Sequence, residues 1–333
     1  MCDSMKIKSI IPYILGILLI LIIAYYVGFQ SIIDAFKNAK LWVLPIIIAS
    51  AFIEYYLQVL RANVLFKATG HDVSENLFKN YAIGQAIAFI MPSRAFGEIA
   101  IVFTLKQLLK VQLSKVFAAI SIERILEILI FGITVISTSF IFSSQIRYAY
   151  LIGIIFSIAV FVLILMFVSQ LVKRAIILIT DKLGLKRINN YLLEYITSSK
   201  IIIVNKKAIF ISFLYSALRL FIDFARVWLI FYMFGYSISF WLVAGIISLS
   251  YLLAIVFILP GGLGVFEGGA VAVFTYFGLP SNIAFSGMLV ERLLSYWLLL
   301  FLGFFYLSKK AVNIDYKSIK EYFKKKNESD KDD

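Results

Sequence analysis

Leu259-Pro260-Gly261-Gly262-Leu263-Gly264-Val265-Phe266-Glu267-Gly268 interrupts one long apolar stretch of this chain, and Met91-Pro92-Ser93-Arg94-Ala95-Phe96-Gly97-Glu98 interrupts another. Pro260 is followed 31 residues later by Glu291-Arg292, and Pro92 is followed 31 residues later by Glu123-Arg124. Proline and paired glycines stop a helix. The apolar runs beside them, 81–91, 99–109 and 265–277, fall short of the roughly 20 residues needed to cross a bilayer core of about 30 Å. Irregular backbone at membrane depth is tolerated only where protein or a watery cavity shields it. Each interruption therefore reads as the break of a re-entrant hairpin.

Working outward, the remaining apolar runs at 10–28, 41–60, 116–142, 148–168, 208–234 and 283–307 each suffice for a full span, and 240–259 leads into the second break. The expected fold is all-α: a polytopic membrane bundle of about six spans plus two broken hairpins, eight to ten hydrophobic helices in all. Composition agrees. Of 333 residues, 62% are hydrophobic and 15% charged, against about 45–50% and about 25% in soluble domains. Soluble, disordered and fibrous classes are excluded. The first run follows Lys6 and Lys8 and has no small-residue cleavage site, so it reads as a retained anchor rather than a signal peptide.

Placing both termini on the cytoplasmic side of a cell membrane assigns 24 Lys and Arg to inner segments and three (Lys37, Lys40 and Arg147) to outer ones. Five more, Arg94, Arg124, Arg219, Arg226 and Arg292, lie within apolar runs or their breaks. This asymmetry follows the positive-inside rule, so the net charge of +13 marks topology and calls for no nucleic acid. The stretch 170–207 mixes basic residues with Ile and Leu at helical spacing and is expected to be a cytoplasmic amphipathic connector on anionic lipid. The tail 308–333 is basic and then acidic-polar, with a disordered composition.

The two breaks belong to a larger repeat. Glu54, Gln58 and Arg61 recur 165 residues later as Arg219, Asp223 and Arg226, and Gly70 and Ser74 recur as Gly235 and Ser239. Within a single membrane domain, 1–307, the units are 54–142 and 219–307. Each is a span with a polar stripe, a broken hairpin, and a span beginning with Glu-Arg. The charge count starts the first unit outside and the second inside, so the repeat is inverted. That arrangement is common in secondary transporters, whose sites lie near the midplane.

A charged residue at the centre of a membrane helix costs about 2.5–3.5 kcal/mol on insertion scales, so it must pair or line a cavity. The acids Glu98, Glu123, Glu127, Asp223, Glu267 and Glu291 are candidates for coupling or pairing, together with Arg219 and Arg226. Arg219, Asp223 and Arg226 share one helical face and could equally form a purely structural ion-pair network. Glu123 and Glu127 also share a face, and the counterpart of Glu127 is Ser295; proton coupling there competes with simple pairing to arginine. At the breaks, exposed backbone N–H groups of Gly261 and Gly262 and a helix N-terminus would attract an anion, although glycines there also serve tight packing. Arg94, whose counterpart is Gly262, offers a guanidinium fork suited to phosphate, as do Arg124 and Arg292.

With one cysteine, Cys2, and one histidine, His71, intrachain disulfides and paired-histidine chemistry are excluded. There is no P-loop and no HExxH or GxSG motif. No catalytic residues, no metal and no cofactor are expected, and the chain is not read as an enzyme.

The two breaks with their Glu-Arg pairs resemble the lysylphosphatidylglycerol synthase transmembrane-region family, flippase-like integral membrane proteins, over roughly residues 10–310. In bifunctional members this region is the lipid-translocating half beside a cytosolic aminoacyl transferase, for which this chain has no counterpart. The resemblance implies membrane lipids as partners, anionic ones above all. It implies movement of a phospholipid or polyprenyl-phosphate-linked lipid between leaflets, with Arg94, Arg124 and Arg292 holding phosphate. Proton- or ion-coupled transport of a small anionic solute, and a non-transporting scaffold, are the alternatives.

Overall fold

The computed structural model describes residue 18 and residues 20–91, 94–142, 186–256 and 263–309; at 94, 95, 186–189, 255 and 256 it describes the backbone alone. Among these residues every regular element is a helix. Helix α1 (Ile20–Val27) meets α2 (Phe29–Lys37) at an angle of 79°. A 3-10 turn (Leu41–Val43) leads into α3 (Leu44–Ala68), followed by α4 (Ser74–Phe89), α5 (Arg94–Leu109) and α6 (Leu113–Ile141). The described part of the connector forms α7 (Lys186–Val204), followed by α8 (Lys206–Met233), α9 (Phe240–Val256), α10 (Val265–Tyr276) and α11 (Ser281–Arg292). A π-helical turn (Leu293–Trp297) continues into α12 (Leu298–Lys309).

Three stretches among the described residues are long and apolar enough to cross a bilayer, Leu41–Ala68, Lys206–Met233 and Ser281–Lys309, and the bent α1–α2 pair is a fourth if counted as one span. At 1.5 Å per residue, α4 and α5 (16 residues each) reach only about 24 Å and α10 (12 residues) about 18 Å. These are the short arms on either side of the two breaks. The described part of the run 10–28 ends, as expected, at Gly28, which takes φ 89°, and the chain turns there into α2. There Asn282 donates to the Ser31 carbonyl, 3.3 Å away, and ties α2 to α11. The expected span 148–168, residues 170–185 of the connector and the tail from 310 lie outside the described residues, as do Pro92, Ser93 and 257–262 with Gly261 and Gly262.

Helices α3 and α8, which carry the matched polar stripes, pack along their lengths. The Lys40 amide donates to the Met233 carbonyl at 2.8 Å, Trp42 meets Tyr232 edge-on at 6.3 Å, Glu54 meets Arg219, and Arg61 meets Ser216. Numbering rises along one helix as it falls along the other, so these equivalent helices are antiparallel. A local two-fold relating them runs through the Glu54–Arg219 contact, because those two residues are each other's counterparts. The helix ends match too. Gly70 and Gly235 both take φ 84°, a left-handed conformation that disfavours any Cβ. The residues after them, His71 and Tyr236, donate their amides to Phe66 and Phe231, both fully buried.

The hairpins are exchanged: α4 packs on α12 and α9 packs on α6, so each unit's first hairpin arm lies against the closing helix of the other. Gly303 permits the first crossing, since a Cβ there would collide with the Ala82 carbonyl oxygen. Two apolar clusters result. One centres on α8 to α11 and takes Ile47 and Ala51 from α3; the other centres on α4 to α6 and takes Tyr55 and Val59. Glu54 falls between them, where the charged residues gather.

Candidate functional site

The polar stripe of α8 cannot face lipid, so it faces α3, α6 and α11, and these helices answer with carboxylates. In the second unit Arg226 is fully buried. It binds Glu291 bidentately, Nε to Oε2 at 2.9 Å and Nη2 to Oε1 at 2.8 Å, and also donates to Asp223 and Glu54. In the first unit its counterpart Arg61 is equally buried. Arg61 reaches Glu127 at 2.8 Å and the Ser216 hydroxyl at 3.1 Å, while Glu123, the counterpart of Glu291, stands 3.4 Å away. Glu123 instead accepts the Tyr81 hydroxyl at 2.8 Å, and Gln58 donates to that same oxygen at 3.3 Å.

The Glu-Arg dipeptides complete two further matched pairs. Arg124 donates to Glu98 at 3.0 Å and to Glu127 at 2.6 Å. Arg292 donates to Glu267 and lies over the Phe266 ring at 4.5 Å. Glu267 also accepts the Gly264 amide at 2.6 Å, fastening the start of α10 just past the second break. On the local axis Arg219 joins the halves, donating to Glu54 at 2.8 Å and to Glu127 at 2.9 Å.

Each half therefore holds two arginines and three carboxylates. The third carboxylate has moved: it is Glu127 on α6 in the first unit and Asp223 on α8 in the second, whose counterparts are Ser295 and Gln58. Beyond Arg292 the second unit adopts the π-helical turn, whereas α6 runs as regular α-helix past Arg124. Such turns often occur at functional sites. Here Tyr296 donates to the Phe89 carbonyl at 2.7 Å and Ser295 lines the cavity.

That cavity, about 130 Å³, lies where the two units meet, and Arg124, Arg219, Arg292, Glu54, Glu98 and Glu127 all contribute to its wall. Three guanidinium groups against three carboxylates leave this wall without net charge when all are ionised. The side chains of Glu98 and Arg124 are 29% and 22% exposed, the most open of the cavity pairs. They adjoin Phe96 and Ile99 on α5, which are 57% and 42% exposed. The polar wall thus reaches the surface at Glu98 and Arg124.

Of the sequence candidates, Arg124, Arg219, Arg292, Glu98 and Glu127 surround the cavity, and Glu123, Asp223, Arg226, Glu267 and Glu291 form the layer behind it. Arg94 opens α5, one helical turn before Glu98, and its side chain lies outside the described residues. Arg61 requires a correction. Its place at the end of an apolar run assigned it to the inner-face basic residues, yet it is completely buried between Glu123 and Glu127. Its correspondence to Arg226 was the available signal. Tyr81 and Tyr296 had none, because aromatic residues make up 16% of the chain.

The lysylphosphatidylglycerol synthase TM region matches residues 10–303. A UPF0104 membrane protein of Methanothermobacter thermautotrophicus is 24% identical over 90% of this chain and 94% of its own length. Another from Methanocaldococcus jannaschii is 26% identical over 89% and 93%, and one from Pyrococcus horikoshii 24% identical over 89% and 95%. No solved structure matches.

Proposed function

The chain belongs to the lysylphosphatidylglycerol synthase transmembrane-region family, and from that premise we propose that it is a flippase-like transporter of an anionic phospholipid or a polyprenyl-phosphate-linked lipid. The observation that carries this reading is the charged cavity at the junction of two oppositely directed units, with Glu98 and Arg124 its most exposed charged pair. A headgroup passing Glu98 would exchange water for guanidinium donors while its chains stay in lipid beside α5. Arg124 and Arg292 are the phosphate-binding groups, each released in part from its carboxylate as the anion arrives. Arg94, at the first turn of α5, would meet the same anion on its way in. Glu54 and Arg219, on the local axis, hold the halves together while the hairpins alternate in opening, as in other inverted-repeat carriers.

Vesicles reconstituted with the full chain and fluorescent anionic lipids test this. Flipping should exceed that of protein-free vesicles, and Arg94→Gln, Arg124→Gln or Arg292→Gln should reduce it by about tenfold or more, the loss expected for a charge-assisted phosphate contact. No acceleration for any anionic lipid would overturn the proposal.

One observation favours a second reading, proton-coupled transport of a small anion. The buried network holds seven carboxylates, Glu54, Glu98, Glu123, Glu127, Asp223, Glu267 and Glu291, against the five arginines 61, 124, 219, 226 and 292. Glu123 Oε1 has no hydrogen-bond partner among the described residues. Proton uptake accompanying transport, abolished by Glu123→Gln, would select this reading.

A further inference from the structure

A second hollow lies on the far side of α5 from the charged cavity. It measures about 280 Å³ and is a crevice between α5, α6 and α7, walled by Ile99, Val102, Phe103, Phe117, Tyr191 and Tyr195. Phe117 and Tyr195 stand with ring centroids 5.0 Å apart. Ile99, Phe117 and Tyr191 are about 40% exposed, so the crevice reaches the molecular surface. The two hollows share a wall: Glu98 and Ile101 face the cavity, whereas Ile99 and Val102 line the crevice.

Water gains nothing from an apolar crevice, because a bound water needs several polar partners. The shape, three helices around a slot rather than one open helical face, suits a single hydrocarbon chain. Three cations mark one end. Lys106 lies four residues beyond Val102 and three beyond Phe103 and so shares their face of α5. Lys110 forms the turn to α6, and Lys115 follows Ser114, which lines the slot. Among the described residues none of the three is ion-paired.

We propose that this crevice holds one acyl chain of an anionic phospholipid whose phosphate lies against Lys106, Lys110 and Lys115. It is a resident-lipid site distinct from the charged cavity. It goes beyond the transport reading and does not depend on it. Packing of the chain between the three helices holds it in place, and each lysine near an anionic headgroup adds preference for charge.

The test is native mass spectrometry of the purified full chain titrated with long-chain phosphatidylglycerol, phosphatidylcholine of the same chains, and dihexanoyl phosphatidylglycerol. One long-chain phosphatidylglycerol should be retained per chain, with affinity about tenfold or more above either comparison lipid. Ile99→Trp, a change at a half-exposed wall residue, should fill the slot and remove that retention. Lys106→Gln, Lys110→Gln and Lys115→Gln together should bring phosphatidylglycerol down to phosphatidylcholine. These surface changes should leave the helical circular dichroism and elution volume as in the wild type. Retention unaffected by Ile99→Trp, or a preference for phosphatidylglycerol that survives the triple change, overturns the proposal. Retention is read without transport, so its failure and a failure of flipping are separate results.

Discussion

The two repeat units use the same kinds of charge and hold them differently. In the second, Arg226 sits against three carboxylates with a bidentate grip on Glu291; in the first, Arg61 reaches Glu127 well but leaves Glu123 3.4 Å away. The second unit also fastens its hairpin through Glu267, which binds Arg292 and the Gly264 amide and is fully buried, whereas Glu98 in the first is partly exposed. A repeat with identical pairings would favour one symmetric arrangement. Moving a single carboxylate, from Asp223 to Glu127, leaves the second half tight and the first loose in this conformation. The loose half is also the one where the cavity reaches the surface.

The largest effect should come from the tight half. Arg226→Met strands the buried Asp223 and Glu291, while Glu54 keeps Arg219, and should cost about 3–5 kcal/mol, enough to abolish a cooperative thermal melt of the solubilised protein. Arg61→Met should cost clearly less, because Glu123 keeps the Tyr81 hydroxyl. Equal losses, or the reverse order, would break the comparison.

Next come the two hairpin fasteners. Glu267→Gln weakens a buried charged pair and its hold on Gly264, and about 2 kcal/mol is expected. Glu98→Gln, at a partly exposed pair, should cost below about 1 kcal/mol. Denaturant titration followed by tryptophan fluorescence separates these values.

Ser295→Glu restores to the second unit the carboxylate that Glu127 supplies in the first. Because Arg292 is already paired, the new charge should destabilise by about 1–3 kcal/mol. If it stabilises instead, the halves are not matched by their charge balance. The smallest effects test sameness rather than difference. Gly70→Ala and Gly235→Ala each place a Cβ on a φ of 84° with no atom within 4 Å, so backbone strain alone should cost about 1 kcal/mol in both. A gap above that size between them would mean the two helix ends are not equivalent.

Membrane class, helical fold and the positions of both breaks were legible in the residues, because apolar run length and proline-glycine interruptions are local properties. The polar positions that recur at a fixed offset were legible as well, and they lie on helices that pack antiparallel, α3 and α8. Arg61 shows where that reading stopped: at the edge of an apolar run, a solvated arginine and a buried one look alike. Only the antiparallel packing of α3 on α8, which sets Arg61 beside Ser216 and within reach of Glu127, distinguishes them. The 79° turn at Gly28 was equally hidden, since hydropathy is indifferent to direction.

The sequence by itself determined how many charges the apolar interior must accommodate and that they come in two sets. Which carboxylate answers which arginine depended on the tertiary structure. Ion pairing acts over a few ångströms between helices far apart in the chain, and linear spacing constrains partners only within one helix. The exchange of α4 and α9 between units, and the cavity and crevice on opposite sides of α5, follow from that same long-range packing.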